Sequence, residues 1–340
     1  MKHKTIIVIG ATGNLGAYIS MQLKNDGYDV IAVGNRKSDN GFFAAHDMRY
    51  ISMDIRNKDE FQKLPQENIY GVAHFAGSLP SRYAFDPQEL IDSVTKGTLN
   101  VLEYMRKTGC ERIVFPQSPH DISGYLQEGK PLSPDLPRRF PLTGDHSVYV
   151  IAKNAACDLI EHYHAQFGFK RYILRFFTIY QYHPNAYHYT DFKRRMMPYR
   201  MLMERAMNSL PIEIWGDASI CKEIVYVKDL ARLVSICMSS SQDGGFYNVG
   251  NGWQVSLDEQ IHGIIEVFSP DGNRSEIIYC PEKPNPRYTA MDITKLEQDF
   301  GYKPQYSYLD QLRDFKHEME TEPFAQLWGT KGDYSIDTNN

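Results

Sequence analysis

A phenol and an ammonium stand four residues apart in Tyr149-Val150-Ile151-Ala152-Lys153, within a segment that reads as helix. At about 3.6 residues per turn, both side chains project from one face. A cation held near a phenol favours the phenolate and lowers a pKa that starts near ~10. Bringing it to about 7 takes roughly 4 kcal/mol of differential stabilisation, at about 1.36 kcal/mol per unit. One lysine supplies part of that, and a positively charged nicotinamide ring beside the phenol would supply much of the rest. The pair thus predicts a proton-transfer site next to a dinucleotide; the alternative is an ordinary helix face.

The elements that would position such a site are legible upstream. Residues 5–9 are a run of apolar and β-branched side chains, the pattern of a strand buried on both faces in a parallel sheet. Directly after it comes Gly10-Ala11-Thr12-Gly13-Asn14-Leu15-Gly16, opening a helical pattern. Glycines there let backbone approach a pyrophosphate at a helix N-terminus, so Gly10, Thr12, Gly13, Asn14, Leu15 and Gly16 are read as cofactor-binding. The second strand, 30–33, ends at Gly34 where an acidic residue would hold a free ribose 2′-hydroxyl. Asn35-Arg36-Lys37-Ser38 follows instead. A guanidinium can bind a 2′-phosphate bidentately, so Arg36 and Lys37 favour NADP, with NAD possible; the alternative is that both are solvated loop charges.

Residues 50–53 form a short strand ending at Asp54-Ile55, a polar and apolar pair suited to an adenine edge and face. Residues 70–73 form another, ending at His74-Phe75-Ala76-Gly77, where Phe75, Ala76 and Gly77 would let a cofactor lie against the strand end. A long amphipathic helix over 89–107 and a strand over 112–115 come next. This βαβα order predicts an α/β fold of Rossmann type, a doubly wound parallel sheet with ligands beyond the strand C-termini. Ser118 lies just past such a terminus, where a hydroxyl could hold a substrate oxygen toward Tyr149; a turn residue is the alternative.

Composition narrows the class. The 340 residues, 42% hydrophobic and 23% charged with a net charge of -5, describe an ordinary globular protein without a basic arm for nucleic acid. Five scattered cysteines, none in a Cys-x-x-Cys spacing, predict a reducing compartment and no zinc site. Met1-Lys2-His3-Lys4 and five apolar residues before Gly10 are too short for a signal peptide, and no apolar run approaches the ~20 residues of a membrane span. The expected location is cytoplasmic, with no membrane partner.

With the glycine turn, the His74-Phe75-Ala76-Gly77 strand end, Ser118, and Tyr149 with Lys153 in order, the chain resembles an extended short-chain dehydrogenase/reductase. More closely it resembles the NAD-dependent epimerase/dehydratase branch acting on nucleotide sugars. The likeness continues through Arg175-Phe176-Phe177-Thr178-Ile179-Tyr180, Ile214-Trp215-Gly216-Asp217, Glu223 to Leu230, Tyr247-Asn248-Val249-Gly250, and Arg287 with Asp292. It implies Tyr149 as catalytic acid/base, Lys153 as its partner at the nicotinamide ribose, and Ser118 as the substrate-polarising hydroxyl. It places Thr178 and Lys222 on the substrate side, and makes Arg287 a contact of the sugar-nucleotide diphosphate.

Departures from the pattern are informative. Pro116-Gln117 replaces small residues before Ser118, Thr178 replaces an asparagine, and Lys222 replaces an arginine and its bidentate fork. Pro119-His120 stands where sugar 4,6-dehydratases carry Asp-Glu, which disfavours dehydration. His183, in an aromatic-rich stretch, falls where some relatives place a general acid; His120 is a lesser candidate. The leading reading is an NADPH-dependent keto-sugar reductase; the alternatives are a nucleotide-sugar epimerase with retained cofactor and a non-catalytic NADPH-binding sensor or scaffold. A dinucleotide-binding domain is expected over 1–181 and 217–252, a smaller discontinuous substrate domain over 182–216 and 253–322, and a tail over 323–340 that docks through Phe324, Leu327 and Trp328. The family likeness also implies a homodimer through helices 89–107 and 149–167.

Overall fold

The computed structural model describes residues 4–80, 86–144, 146–190, 193–285 and 289–334. Seven strands form one parallel sheet: β1 (Thr5–Ile9), β2 (Asp29–Gly34), β3 (Arg49–Ser52), β4 (Ile69–His74), β5 (Arg112–Gln117), β6 (Lys170–Phe176) and β7 (Gly244–Val249). Their order is β7-β6-β5-β4-β1-β2-β3, with every pairing parallel. The chain winds outward in both directions from β1, so the order reverses between β1 and β4. At such a switch point the loops beyond the strand ends diverge and leave a crevice.

Alternation along β1 shows how the sheet is sandwiched. Ile6 and Val8 face the cluster that includes Ala17 and Ile19 of α1 (Asn14–Asn25), while Ile7 and Ile9 face that of α2 (Gly97–Thr108) and α3 (Ser147–Phe167). All four strand side chains are 0–1% exposed, which explains the unbroken apolar run in the sequence. Pro87–Leu90 and Ile91–Lys96 lead into α2, the latter with the wider hydrogen-bond ring of a π turn. The sequence pattern over 89–107 reads as uniform helix, because a π turn leaves the amphipathic spacing almost intact.

A third buried cluster lies apart from the sheet. It joins α4 (Pro198–Met207), α6 (Leu257–Phe268) and α7 (Tyr308–Thr321) around Met203, Ile214, Ile264, Leu312 and Phe315. Ile212–Trp215 pairs in parallel with Ile277–Cys280 at its margin. Between α4 and α6, α5 (Val227–Ser239) returns to pack on α1 beside the sheet. Met291, Ile293, Leu296 and Tyr302, which the sequence reading assigns to the substrate domain, pack instead into the sheet's first face.

Beyond α7 the chain turns at Glu322, whose φ of 44° makes a left-handed cap, and enters α8 (Ala325–Trp328). Phe324, Leu327 and Trp328 are 6%, 2% and 4% exposed, against Tyr18 of α1 and Phe42. Burying each contributes about 2 kcal/mol, enough to hold a segment this short. The far end of the tail, 335–340, lies outside the described residues. Among the described residues, no helix is long and apolar enough to cross a membrane.

Candidate active site

The turn after β1 is built by close backbone approach. Gly10 has φ of +91°, and its N–H, like that of Ala11, donates to the Val33 carbonyl. A Cβ on Gly10 would lie 2.7 Å from the Ala76 nitrogen, and one on Gly16 would lie 2.1 Å from the Gly10 carbonyl oxygen. Only glycine lets α1 sit this tightly on the turn. Among the described residues no side chain caps the N-terminus of α1, so its first amides can meet an anion in the crevice. That donor set, cradled between β1 and β4, fits a dinucleotide pyrophosphate.

Two adjoining cavities carry most of the residues expected from the sequence. One, of about 220 Å³, is lined by Gly10, Thr12 and Gly13, by Asp54 and Ile55, and by Phe75, Ala76 and Gly77. The other, of about 550 Å³, is lined by the turn through Asn14, Leu15 and Gly16, by Ser118, Tyr149 and Lys153, and by Thr178. Thr178 also faces a third cavity of about 300 Å³ that holds Lys222, Glu223 and Tyr180. Arg287 lies outside the described residues.

Hydrogen bonds stitch the end of β5 to α3. Lys153 donates to the Pro116 carbonyl at 2.8 Å. Gln117 donates to Asn154 at 3.0 Å and accepts the Ser118 N–H at 2.7 Å. The Ser118 hydroxyl accepts the His120 N–H at 3.3 Å, which caps the turn Pro119–Tyr125. The Gln117 side chain thus ties the end of β5 to both Ser118 and the Tyr149 helix. Behind Ser118, Asp121 and Arg175 form a buried ion pair at 2.7 Å, and Arg175 also donates to Asn248.

Electrostatics here run against the sequence expectation. Lys153 lies 5.9 Å from the Tyr149 ring centroid with its ammonium bonded to a carbonyl, so it does little to favour the phenolate. Burial raises the Tyr149 pKa above its ordinary value, and burial lowers that of Lys153 to about 8 against a smaller opposite effect of Cys157. A phenol poised near neutrality therefore needs positive charge brought into the cleft by a bound cofactor.

Three residues expected at the site stand away from the lining of the two cavities. Arg36 lines neither cofactor cavity; it donates to the Leu327 carbonyl at 2.9 Å, drawn off by a tail whose docking place local pattern does not reveal. Lys37 is exposed and likewise lines neither. His183 is 7% exposed and lies behind the cleft wall, its ring 4.6 Å from that of Trp328 and its Nδ1 accepting the Asn185 N–H. Burial, then Arg36 and Arg200, push its pKa down to about 4, so it is neutral at pH 7 and unsuited to serve as a general acid.

Sequence reasoning passed over Arg56 and Glu89, which line the smaller cavity with Asn35. Arg56 grips the Asp54 carboxylate through Nε and Nη2 and bonds Glu89 through Nη1. The arginine pulls the Asp54 carboxyl below its usual range. Arg56 stands two residues past Asp54, a visible signal, but its pairing with Glu89 is set by tertiary packing. Glu223 was legible beside Lys222.

A doubly wound parallel sheet with a glycine turn after its first strand, and a Tyr-x-x-x-Lys helix against its crevice, defines a short-chain dehydrogenase/reductase of the extended kind. The chain belongs to the NAD dependent epimerase/dehydratase family, whose model matches residues 6–250. It is 26% identical over 308 residues to a putative UDP-glucose 4-epimerase of Methanocaldococcus jannaschii, covering 88% of this chain and 93% of that protein. Its fold matches the UDP-glucose 4-epimerase of Thermotoga maritima solved with UDP-glucose, at a TM-score of 0.73 and 20% identity over 94% of this chain and 99% of the other. The UDP-glucuronic acid 4-epimerase of Bacillus cereus, solved with UDP-glucuronic acid and NAD, gives a TM-score of 0.70 at 23% identity over 94% and 99%.

Proposed function

We propose that this protein is a nucleotide-sugar 4-epimerase that keeps NAD bound through its catalytic cycle. The observation that carries the reading is the convergence of Tyr149, Lys153 and Ser118 on a cavity shared with the glycine turn. Of the relatives named above, the two solved structures are 4-epimerases of UDP-sugars, one of them with NAD, and the third bears that name as a putative one. The case for NADP rests on Arg36 and Lys37 after a strand end without an acidic residue, and of these the Arg36 guanidinium bonds the Leu327 carbonyl.

A nicotinamide in the cleft would supply the hydride acceptor and donor that amino acids lack. The chain's own groups handle the proton and the geometry. Tyr149 takes the proton from the sugar hydroxyl through its phenolic oxygen and returns it to the oxygen once the carbon has inverted. Ser118 holds the same oxygen toward Tyr149, its backbone fixed by Gln117. Lys153, anchored on the Pro116 carbonyl, would hold the cofactor ribose, and the positive charge that favours the phenolate would come from the nicotinamide. Thr178 and Lys222 stand on the side where the nucleotide diphosphate would lie, Lys222 offering a point charge.

Incubating the protein with UDP-glucose or UDP-galactose, without added cofactor, tests this reading by NMR of the anomeric protons. Approach to one equilibrium mixture from both sugars, with no net change in NADH absorbance, is expected. No interconversion of the two sugars, together with reduction of a UDP-4-keto-sugar that consumes added NADPH mole for mole, would replace the epimerase with a reductase.

The proposal includes a homodimer. Leu99 of α2 and Ile151 of α3 are exposed apolar side chains on two helices that pack together. Light scattering should give twice the chain mass, and Ile151→Glu should return it to the monomer; a monomeric parent protein would remove this part.

A further inference from the structure

The C-terminal segment reaches the cofactor crevice from outside. The Trp328 indole N–H donates to the carbonyl of Thr12, in the glycine turn, at 3.1 Å. Gln326 and Asn40 exchange side chain to main chain hydrogen bonds of 2.8 and 3.1 Å. Arg36 reaches across the same surface to the Leu327 carbonyl, near the C-terminal end of α8. Tyr334 closes the segment by donating to the Trp328 carbonyl at 2.7 Å. Phe324 and Trp328 pack on Tyr18 of α1, while Arg36, Asn40 and Phe42, which follow β2, hold the strap through Leu327, Gln326 and Phe324.

Those residues stand where cofactor choice is decided. Gly34 and Asn35 line the smaller cavity, and Arg36 is the next in the chain. A long, forked side chain there is within reach of a phosphate on the adenosine ribose. Arg56, the guanidinium that does line this cavity, is held by two carboxylates, Asp54 and Glu89.

We propose that the strap over residues 324–334 determines cofactor choice by holding Arg36 on the Leu327 carbonyl and withholding its guanidinium from the ribose end of the crevice. A 2′-phosphate at the ribose end then finds neither Arg36 nor an unpaired Arg56 guanidinium to bind it, and the 2′-hydroxyl of NAD is preferred. Arg36 and Trp328 act as positioning residues, through the strap. The inference rests on the NAD reading given above.

Calorimetric titration of NADH and NADPH into the full chain, stripped of any co-purified nucleotide, tests it. The natural chain should prefer NADH. Arg36→Ala in the otherwise natural chain should leave the NADPH to NADH affinity ratio unchanged within about twofold, because the guanidinium does not reach the site. The full-length double variant Phe324→Ala with Trp328→Ala, which releases the strap, should shift the ratio toward NADPH by about tenfold, the scale of one charge-assisted phosphate contact. Adding Arg36→Ala to it should erase that shift. General damage to the fold weakens both nucleotides together and does not move the ratio. A selective loss of NADPH binding in Arg36→Ala alone would overturn the inference even if the double variant fails to fold. A folded double variant that gains nothing would overturn it while leaving the NAD reading standing. A natural chain that prefers NADPH would overturn both.

Discussion

Lys153 is fastened to the backbone carbonyl of Pro116, and its ammonium stands 5.9 Å from the ring centroid of Tyr149. The lysine is thereby tied to the end of β5 as well as to α3. Such an arrangement holds the lysine where a ribose can meet it and leaves the phenol protonated while the cleft lacks added positive charge. Desolvation dominates both groups, and it acts on each against its charged form.

That burial has a consequence for stability. The Lys153 amine has a pKa of about 8 in the folded chain against an ordinary 10.5. Between these values the unfolded chain binds more protons than the folded one, so this residue makes stability rise with pH across that window. The rise is on the order of 3 kcal/mol. Lys153→Met removes the titrating group and keeps the bulk. Melting temperatures measured from pH 7 to 10 should show the natural chain gaining on the variant as pH increases; parallel curves would count against a desolvated lysine.

Tyr149→Phe keeps the ring and removes the proton carrier. Turnover of a nucleotide sugar should fall by a hundredfold or more, within the ~10²–10⁴ range of general acid–base catalysis. NADH affinity should change by less than about twofold. A variant that turns over at near the natural rate would show that another group moves the proton.

Two glycines of the turn separate folding from binding. A Cβ on Gly16 would meet the Gly10 carbonyl oxygen at 2.1 Å and the Ala11 Cα at 2.8 Å, all backbone that no rotamer change relieves. Gly16→Ala should cost about 3 kcal/mol in denaturant unfolding and weaken NADH binding with it. A Cβ on Gly13 would meet only the Gly10 oxygen, at 3.2 Å, yet Gly13 faces both cofactor cavities. Gly13→Ala should unfold much like the natural chain and still lose at least tenfold in NADH affinity. Equal stability losses in the two variants would contradict the packing described for the turn.

Features carried by local spacing were legible in the sequence. The strand, glycine turn and helix at residues 5–25, and the Tyr149–Lys153 pair, depend on residues within a turn or two of one another, and the structure brings them to one crevice. Ser118 was legible because it follows a strand end, where loops of a parallel sheet converge. The surroundings of Arg36 and His183 were not legible for one shared reason: each meets Leu327 or Trp328, more than 140 residues away in the chain. Phe324, Leu327 and Trp328 were read as a docking element, yet nothing in their spacing names the surface they dock on. The phenol pKa was misjudged because helical spacing fixes a shared face and says nothing of the carbonyl that captures the lysine.

Glu223 supplies a pH test of the opposite sign. Its carboxyl is buried beside the cavity of Lys222, in the space that Gly250 leaves open: a Cβ on Gly250 would lie 2.0 Å from Glu223 Oε1. The backbone N–H groups of Asn251 and Met291 donate to its two oxygens at 3.2 and 3.0 Å. These bonds favour the carboxylate, but burial outweighs them and raises the pKa to about 7 from an ordinary 4.5. Between those values the folded chain binds more protons than the unfolded one, so this residue makes stability fall as pH rises from about 4.5 to about 7. The decline is on the order of 3 kcal/mol. Glu223→Gln removes the titration and keeps one acceptor oxygen, at a cost of about 1 kcal/mol for the bond it loses. Urea unfolding of both proteins from pH 5 to pH 8 should find the variant less stable at the acid end and more stable at the alkaline end. Curves that keep a constant separation would mean that Glu223 is ionised throughout and that the cluster of Glu223, Asn251 and Met291 solvates its charge fully.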